Sequence, residues 1–177
     1  SWLIILLWII ASIDTQKNGM FCQKRVGRNG KLFTLFKIRT MKTTDELQSS
    51  VTVRGDPRIT RIGSFLRKWK LDELPSLFNV LIGNMSLVGP RPDVEGYFDR
   101  LEGEDRSLLE LRPGITGPAS LKYANEEKLL SNMDNPQKYN DNVIFPDKVK
   151  INLHYMDNWT LISDIEIIMR TIFRSNY

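Results

Sequence analysis

Phe21-Cys22-Gln23-Lys24-Arg25-Val26-Gly27-Arg28-Asn29-Gly30-Lys31-Leu32-Phe33-Thr34-Leu35-Phe36-Lys37-Ile38-Arg39 is a run of β-prone residues in a chain otherwise written for helices. The Asn29-Gly30 pair between the two halves is a hairpin signal, because both residues tolerate the left-handed backbone a tight turn needs. Strand periodicity puts Phe33, Leu35, Lys37 and Arg39 on one face, so the two cations are expected side by side at the strand's end. Residues 42–57 are polar and aperiodic and read as a loop.

Helical spacing dominates on the C-terminal side. Ile62, Phe65, Leu66 and Trp69 recur at helical intervals opposite Arg61, Arg67, Lys68 and Lys70. Such a basic amphipathic helix suits either a membrane surface or an ordinary solvated face. Asp72 reads as the N-cap of the next helix, with Glu73 and Pro75 in its first turn. Leu74, Leu77, Phe78 and Leu81 are its expected buried stripe, and Gly83 its end. A short helical end at 108–111 leads into a Pro/Gly-rich turn at 113–118. Further helix is expected over 126–133, irregular chain around Pro136, helix again from Asp147, and a last helix opened by Ser163. With no repeat or linker, the reading is one α+β domain, mostly helical, with a small β-hairpin.

Toward the N-terminus, Ser1-Trp2-Leu3-Ile4-Ile5-Leu6-Leu7-Trp8-Ile9-Ile10 is apolar throughout. Ten helical residues span about 15 Å, roughly half a hydrocarbon core. The run is expected to be the second half of a re-entrant or interfacial helix, with Trp2 and Trp8 as amphipathic aromatics. A buried core helix or a signal-peptide core is the alternative. The first residue is not Met, which reads as a natural start lying upstream.

The 177 residues are 41% hydrophobic, enough for a real core, and the net charge of +4 suits an anionic partner. One cysteine, Cys22, excludes an internal disulfide, and one histidine, His154, argues against a His-rich metal site or a Ser-His-Asp triad. Nucleic-acid binding has only the net charge behind it, since no recognised motif accompanies it.

The chemistry concentrates at Lys68-Trp69-Lys70-Leu71-Asp72-Glu73-Leu74-Pro75 and at Gly89-Pro90-Arg91-Pro92-Asp93. An aspartate at a helix start is expected to stay ionised, able to attack phosphorus or hold a hard metal. Arg91 between two prolines has little local freedom, which suits a guanidinium that grips phosphate. A plain helix cap and an incidental surface arginine are the bland readings of the same residues.

Lys37-Ile38-Arg39-Thr40-Met41, Leu71-Asp72-Glu73-Leu74-Pro75, Met85-Ser86-Leu87-Val88-Gly89-Pro90-Arg91-Pro92 and Arg112-Pro113-Gly114-Ile115-Thr116-Gly117 resemble, in order, blocks of the bacterial sugar transferase family. These are small monotopic phosphoglycosyl transferases that start glycan assembly on polyprenol phosphate. The resemblance implies that a nucleoside-diphosphate sugar, a UDP-sugar, gives its sugar phosphate to undecaprenyl phosphate. It implies Asp72 as the nucleophile of a covalent phosphosugar intermediate and as a ligand of Mg²⁺, with Glu73 as base or metal-site partner. It implies Lys37, Arg67 and Arg91 as phosphate- and substrate-binding cations, and Arg39, beside Lys37 on the strand face, is read with them. It further implies a re-entrant membrane segment over 1–13 and a catalytic domain over 14–177 on the cytoplasmic face of the bacterial inner membrane, in contact with its lipids. Two departures stand out: Trp2 falls where the family has a helix-breaking proline, and Pro118-Ala119-Ser120 replaces a commoner Ala-Gln ending. The rival reading is a non-catalytic membrane-surface module that binds anionic lipids.

Overall fold

The computed structural model describes residues 2–43 and 55–173. Most of the polar 42–57 loop therefore lies outside the described residues. Helix α1 (Trp2–Thr15) packs through a seam of residues four apart, Leu3, Leu7 and Ala11, against Ile38, Leu66, Leu71 and Leu74. Its other face leaves Trp2, Ile5, Ile9 and Ile13 exposed. The helix ends in a tight corner: Ser12 Oγ accepts from the Gly19 N–H at 2.8 Å, and a Cβ on Gly19 would lie 2.1 Å from the Trp8 carbonyl oxygen. Among the described residues no helix is long and apolar enough to cross a membrane.

The hairpin forms as expected. Strands β1 (Met20–Val26) and β2 (Leu32–Ile38) pair antiparallel from Met20↔Ile38 to Val26↔Leu32. Asn29 (φ 56°) and Gly30 (φ 72°) take the left-handed conformation in the connecting turn. Phe33 and Leu35 point into the core with Met85.

Helix α2 (Arg61–Lys68) is capped by Thr60, whose Oγ1 accepts from the Gly63 N–H at 2.8 Å and donates to Asp14 on α1. Only Leu66 of its apolar residues is buried; Ile62, Phe65 and Trp69 face outward. Lys70, at φ 56°, turns the chain into a single 3₁₀ turn, Leu71–Glu73. Asp72 therefore sits inside that turn and caps no helix.

Helix α3 (Ser76–Leu81) overturns the expected stripe. Leu74 packs inward, but Leu77, Phe78 and Leu81 are 42%, 45% and 82% exposed, while Ser76 and Asn79 are buried. The cause is the free edge of β2. Asn79 Nδ2 donates to the Thr34 carbonyl at 2.7 Å, Asn79 Oδ1 accepts from the Phe36 N–H at 3.2 Å, and Ser76 Oγ donates to the Phe36 carbonyl at 3.0 Å. Buried backbone groups must be paired, so the polar side of α3 turns inward and the apolar side outward. Gly83 (φ 82°) follows the helix end.

The two Gly/Pro-rich blocks read as turns prove to be partners. Strand β3 (Ser86–Val88) pairs parallel with β4 (Gly114–Thr116), extended by Gly89 N–H to Thr116 O (2.9 Å) and Gly114 N–H to Pro90 O (2.8 Å). Gly89, Gly114 and Gly117 permit this approach: a Cβ on any of them would stand 2.2–2.4 Å from a backbone atom of the other segment. Between the strands run short 3₁₀ stretches at Phe98–Arg100 and Gly103–Glu110.

Helices α4 (Pro118–Lys122), α5 (Glu126–Leu130) and α6 (Pro136–Tyr139) follow. Pro136, expected in irregular chain, opens α6 behind an Asn135 cap. A π-turn at Asn140–Ile144 leads into α7 (Phe145–Asp157), whose Val149 joins Val26, Phe98, Leu108 and Leu109 in the core. The last helix, α8 (Leu161–Phe173), starts before Ser163: Thr160 and Ser163 cap each other reciprocally through side chain and backbone.

Candidate active site

The site forms where the end of β2, the 3₁₀ turn Leu71–Glu73 and the turn after β3 meet. Glu73 is its hub. Oε1 of Glu73 accepts from Lys37 Nζ at 3.1 Å and from Arg91 Nη2 at 2.9 Å. The three side chains differ in access, 13% exposed for Glu73, 19% for Lys37 and 44% for Arg91, so the guanidinium is the solvent-facing member. The Gly-Pro-Arg-Pro turn fixes Arg91 because its backbone is bolted to β4 and to β1, where the Val26 N–H donates to the Asp93 carbonyl at 2.9 Å.

Asp72 lies beside this triad, half-buried, and its Oδ1 is buried with no hydrogen-bond partner. Such an orphaned acceptor is costly unless something else binds it. Burial pushes the Asp72 carboxyl up and the neighbouring charge of Glu73 adds to it, while Lys37, Lys70 and Arg67 pull the other way. Because Asp72 caps no helix, these cations, and not a helix N-terminus, are what favour its ionised form. Burial also acts to raise Glu73, but Arg91, Lys37 and Lys70 outweigh it and hold that carboxyl far below the usual range. Burial, with Arg91 nearby, pushes the Lys37 ammonium down to about 8, against Glu73 and Asp72. Glu73 raises the Arg91 guanidinium above its ordinary value, against burial.

The structure thus gathers Lys37, Asp72, Glu73 and Arg91. Arg67 stands on α2 with its Nη2 donating to Glu127 of α5, close enough for its charge to favour ionised Asp72. Arg39 does not join the group. Its N–H still bonds to the Gly19 carbonyl at 2.7 Å, continuing the β1–β2 register, while its Nε donates to the Asn18 carbonyl at 2.7 Å and its guanidinium lies over the ring of Phe21, the cross-strand partner of Lys37, at 5.5 Å. Arg39 thus shares the Lys37 face, as alternation predicts, but its guanidinium is tied to the α1–β1 corner rather than to Glu73. Cys22 is an exposed thiol on β1, and His154 pairs with Asn158 at the end of α7. Lys70 is the member that sequence reasoning missed. It looked like one more cation on the basic face of α2, but its left-handed backbone sets it at the entry to the Leu71–Glu73 turn, where its charge favours the ionised form of both carboxylates.

Among the described residues no cluster of three or more His, Cys, Asp or Glu is placed to hold a metal. One carboxylate with an unpartnered oxygen still fits Mg²⁺, which commonly takes one or two protein carboxylates and completes its shell with water and substrate phosphate. Glu73 fits less well, since its Oε1 is already committed to two cations.

The profile of the bacterial sugar transferase family matches residues 1–176. The chain is 33% identical over 184 residues to the galactosyl transferase CpsE of Streptococcus agalactiae, covering 96% of this chain and 37% of that protein. It is 35% identical over 185 residues to the undecaprenyl-phosphate galactose phosphotransferase of Salmonella typhimurium, with 96% and 35% covered. It is 36% identical over 181 residues to the undecaprenyl-phosphate glucose phosphotransferase of Komagataeibacter xylinus, with 97% and 32% covered. The chain spans about a third of the length of these relatives.

Proposed function

Because this chain belongs to the bacterial sugar transferase family, we propose that it moves a sugar phosphate from a nucleoside-diphosphate sugar, a UDP-sugar, to undecaprenyl phosphate. The observation that carries the reading is the unpartnered Oδ1 of Asp72 beside a Glu73 pinned by Lys37 and Arg91. A surface module without catalysis gives those buried charges nothing to do.

In the proposed reaction the donor's diphosphate lies against Arg91 and Lys37, which offset its charge as it nears the carboxylates. A carboxylate oxygen of Asp72 attacks the phosphorus that bears the sugar. A bond forms from aspartate oxygen to phosphorus, the bond to the bridging oxygen breaks, and the nucleoside monophosphate leaves with that electron pair. An oxygen of the lipid phosphate then attacks the same phosphorus, freeing the Asp72 carboxylate and giving the lipid-diphosphate sugar. Bound Mg²⁺ would neutralise phosphate charge next to Asp72. Glu73 holds Lys37 and Arg91 in place and, by its own charge, keeps Asp72 basic.

Two substrates of opposite solubility must reach one side chain. The exposed apolar residues of α1, α2 and α3, elements adjoining the turn that carries Asp72, suit a seat on the cytoplasmic face of the inner membrane. The test is a panel of UDP-sugars supplied with undecaprenyl phosphate and Mg²⁺, with UMP release followed. Sustained release with one sugar, dependent on the lipid, is expected. Absence of UMP with every sugar would overturn the reading.

A further inference from the structure

Two neighbouring carboxylates at the head of α5 are each held by a cation from a different helix. Glu127 accepts from Arg67 of α2, the helix that leads into the Asp72 turn. Glu126 accepts from Lys148 Nζ of α7, at 2.9 Å and 2.7 Å to its two oxygens. Lys148 takes no part in the transfer steps above. The next residue, Val149, is buried with Val26 and Phe98. Val26 bonds to the Asp93 backbone, and Arg25 Nη1 donates to the Pro92 carbonyl at 3.2 Å. Lys148 thus stands near the turn that presents Arg91, where the Asp93 carboxyl feels its charge together with those of Arg25 and Arg91, and its Nζ lies over the Tyr123 ring at 5.7 Å. Its side chain is 16% exposed, where an ammonium needs an anion.

We propose that Lys148 is a phosphate-binding residue of the donor site, and that Glu126 and Glu127 occupy Lys148 and Arg67 until the donor's diphosphate displaces them. The proposal rests on the nucleoside-diphosphate donor proposed above. A diphosphate offers more charge and more acceptor oxygens than two carboxylates, and it gains Arg91 as well. The Glu126 and Glu127 side chains are 28% and 43% exposed, so each has room to swing off its cation without moving the helix. The donor thus completes its own cationic cradle by expelling two internal stand-ins.

The two members of one ion pair then have opposite effects on the same ligand, which a merely structural pair does not. Binding of UDP to the full chain in detergent, measured by calorimetry at fixed salt, reads this directly. Lys148→Met is expected to weaken UDP binding by about tenfold or more, with Lys148→Arg restoring most of it. Glu126→Gln and Glu127→Gln are each expected to tighten it by about threefold or more. If Lys148→Met does not fold, the sign of the Glu126→Gln effect decides alone. Weaker UDP binding by Glu126→Gln, unchanged binding by a folded Lys148→Met, or no UDP binding by the unaltered protein would each overturn the proposal. The expected signs in a protein that releases no UMP from any UDP-sugar would uphold it and remove the transfer reaction. Transfer with reversed signs would remove this proposal alone.

Discussion

At the scale of single residues, the site is a contest of burial against charge. Lys37 is the side chain whose titration falls inside a usable range. It loses its proton as pH rises through about 8, and with it a cation of the donor cradle. The pH profile of kcat/KM reports groups of the free enzyme, so an alkaline limb near 8 is expected. Lys37→Arg should remove that limb, since a guanidinium does not titrate there; a limb that persists in the variant would assign it to another group. For stability the sign differs: between about 8 and 10.5 the unfolded chain binds the Lys37 proton and the folded one does not, so this group's contribution rises with pH. Glu73, held low, contributes stability above its ordinary 4.5 that is lost as pH falls through its lower folded value. The carboxylate pair, Arg91 and Lys37 were legible as residues because unusual chemistry stood in short blocks of sequence. Alternation gave the face of Arg39 but not its partners, which come from the α1–β1 corner, and Lys70 was missed because a left-handed residue leaves no periodic trace.

At the scale of elements, the chain wrote its hairpin and most helices plainly, but not what each helix buries. Helix α3 looked like a standard apolar stripe over Leu77, Phe78 and Leu81. The competing demand came from β2, far away in sequence, whose outer backbone groups needed partners. Asn79 meets that demand and is fully buried. Asn79→Ala would leave the Thr34 carbonyl and the Phe36 N–H unpaired, at a cost of about 3 kcal/mol. Urea unfolding checks it; a loss under about 0.5 kcal/mol, typical of a neutral surface change, would contradict the assignment. Ser76→Ala, with one bond at stake, should cost about 1 kcal/mol. The β3–β4 pair was illegible for a related reason. Three-residue strands carry too little alternation to be read, and their pairing partner lies a long connection away.

At the scale of the whole molecule, the unusual property is how much apolar surface faces outward on elements that pack on one another. Phe65, Trp69, Leu81 and Ile82 are between 49% and 82% exposed. Replacing all four by serine should leave the melting temperature nearly unchanged, since little packing is lost, and lower binding to phosphatidylglycerol vesicles by at least about tenfold. Unchanged vesicle binding in a sedimentation assay would place the membrane contact elsewhere. All of this surface serves one event in the account, the passage of a sugar phosphate through Asp72. Incubating the intact protein with a UDP-sugar and Mg²⁺ but no lipid acceptor, then measuring its mass, tests that most directly. The account predicts a gain equal to one sugar phosphate, mapped to Asp72, cleared by undecaprenyl phosphate and absent in Asp72→Asn. Turnover without any such adduct, or an adduct that survives in Asp72→Asn, would contradict it.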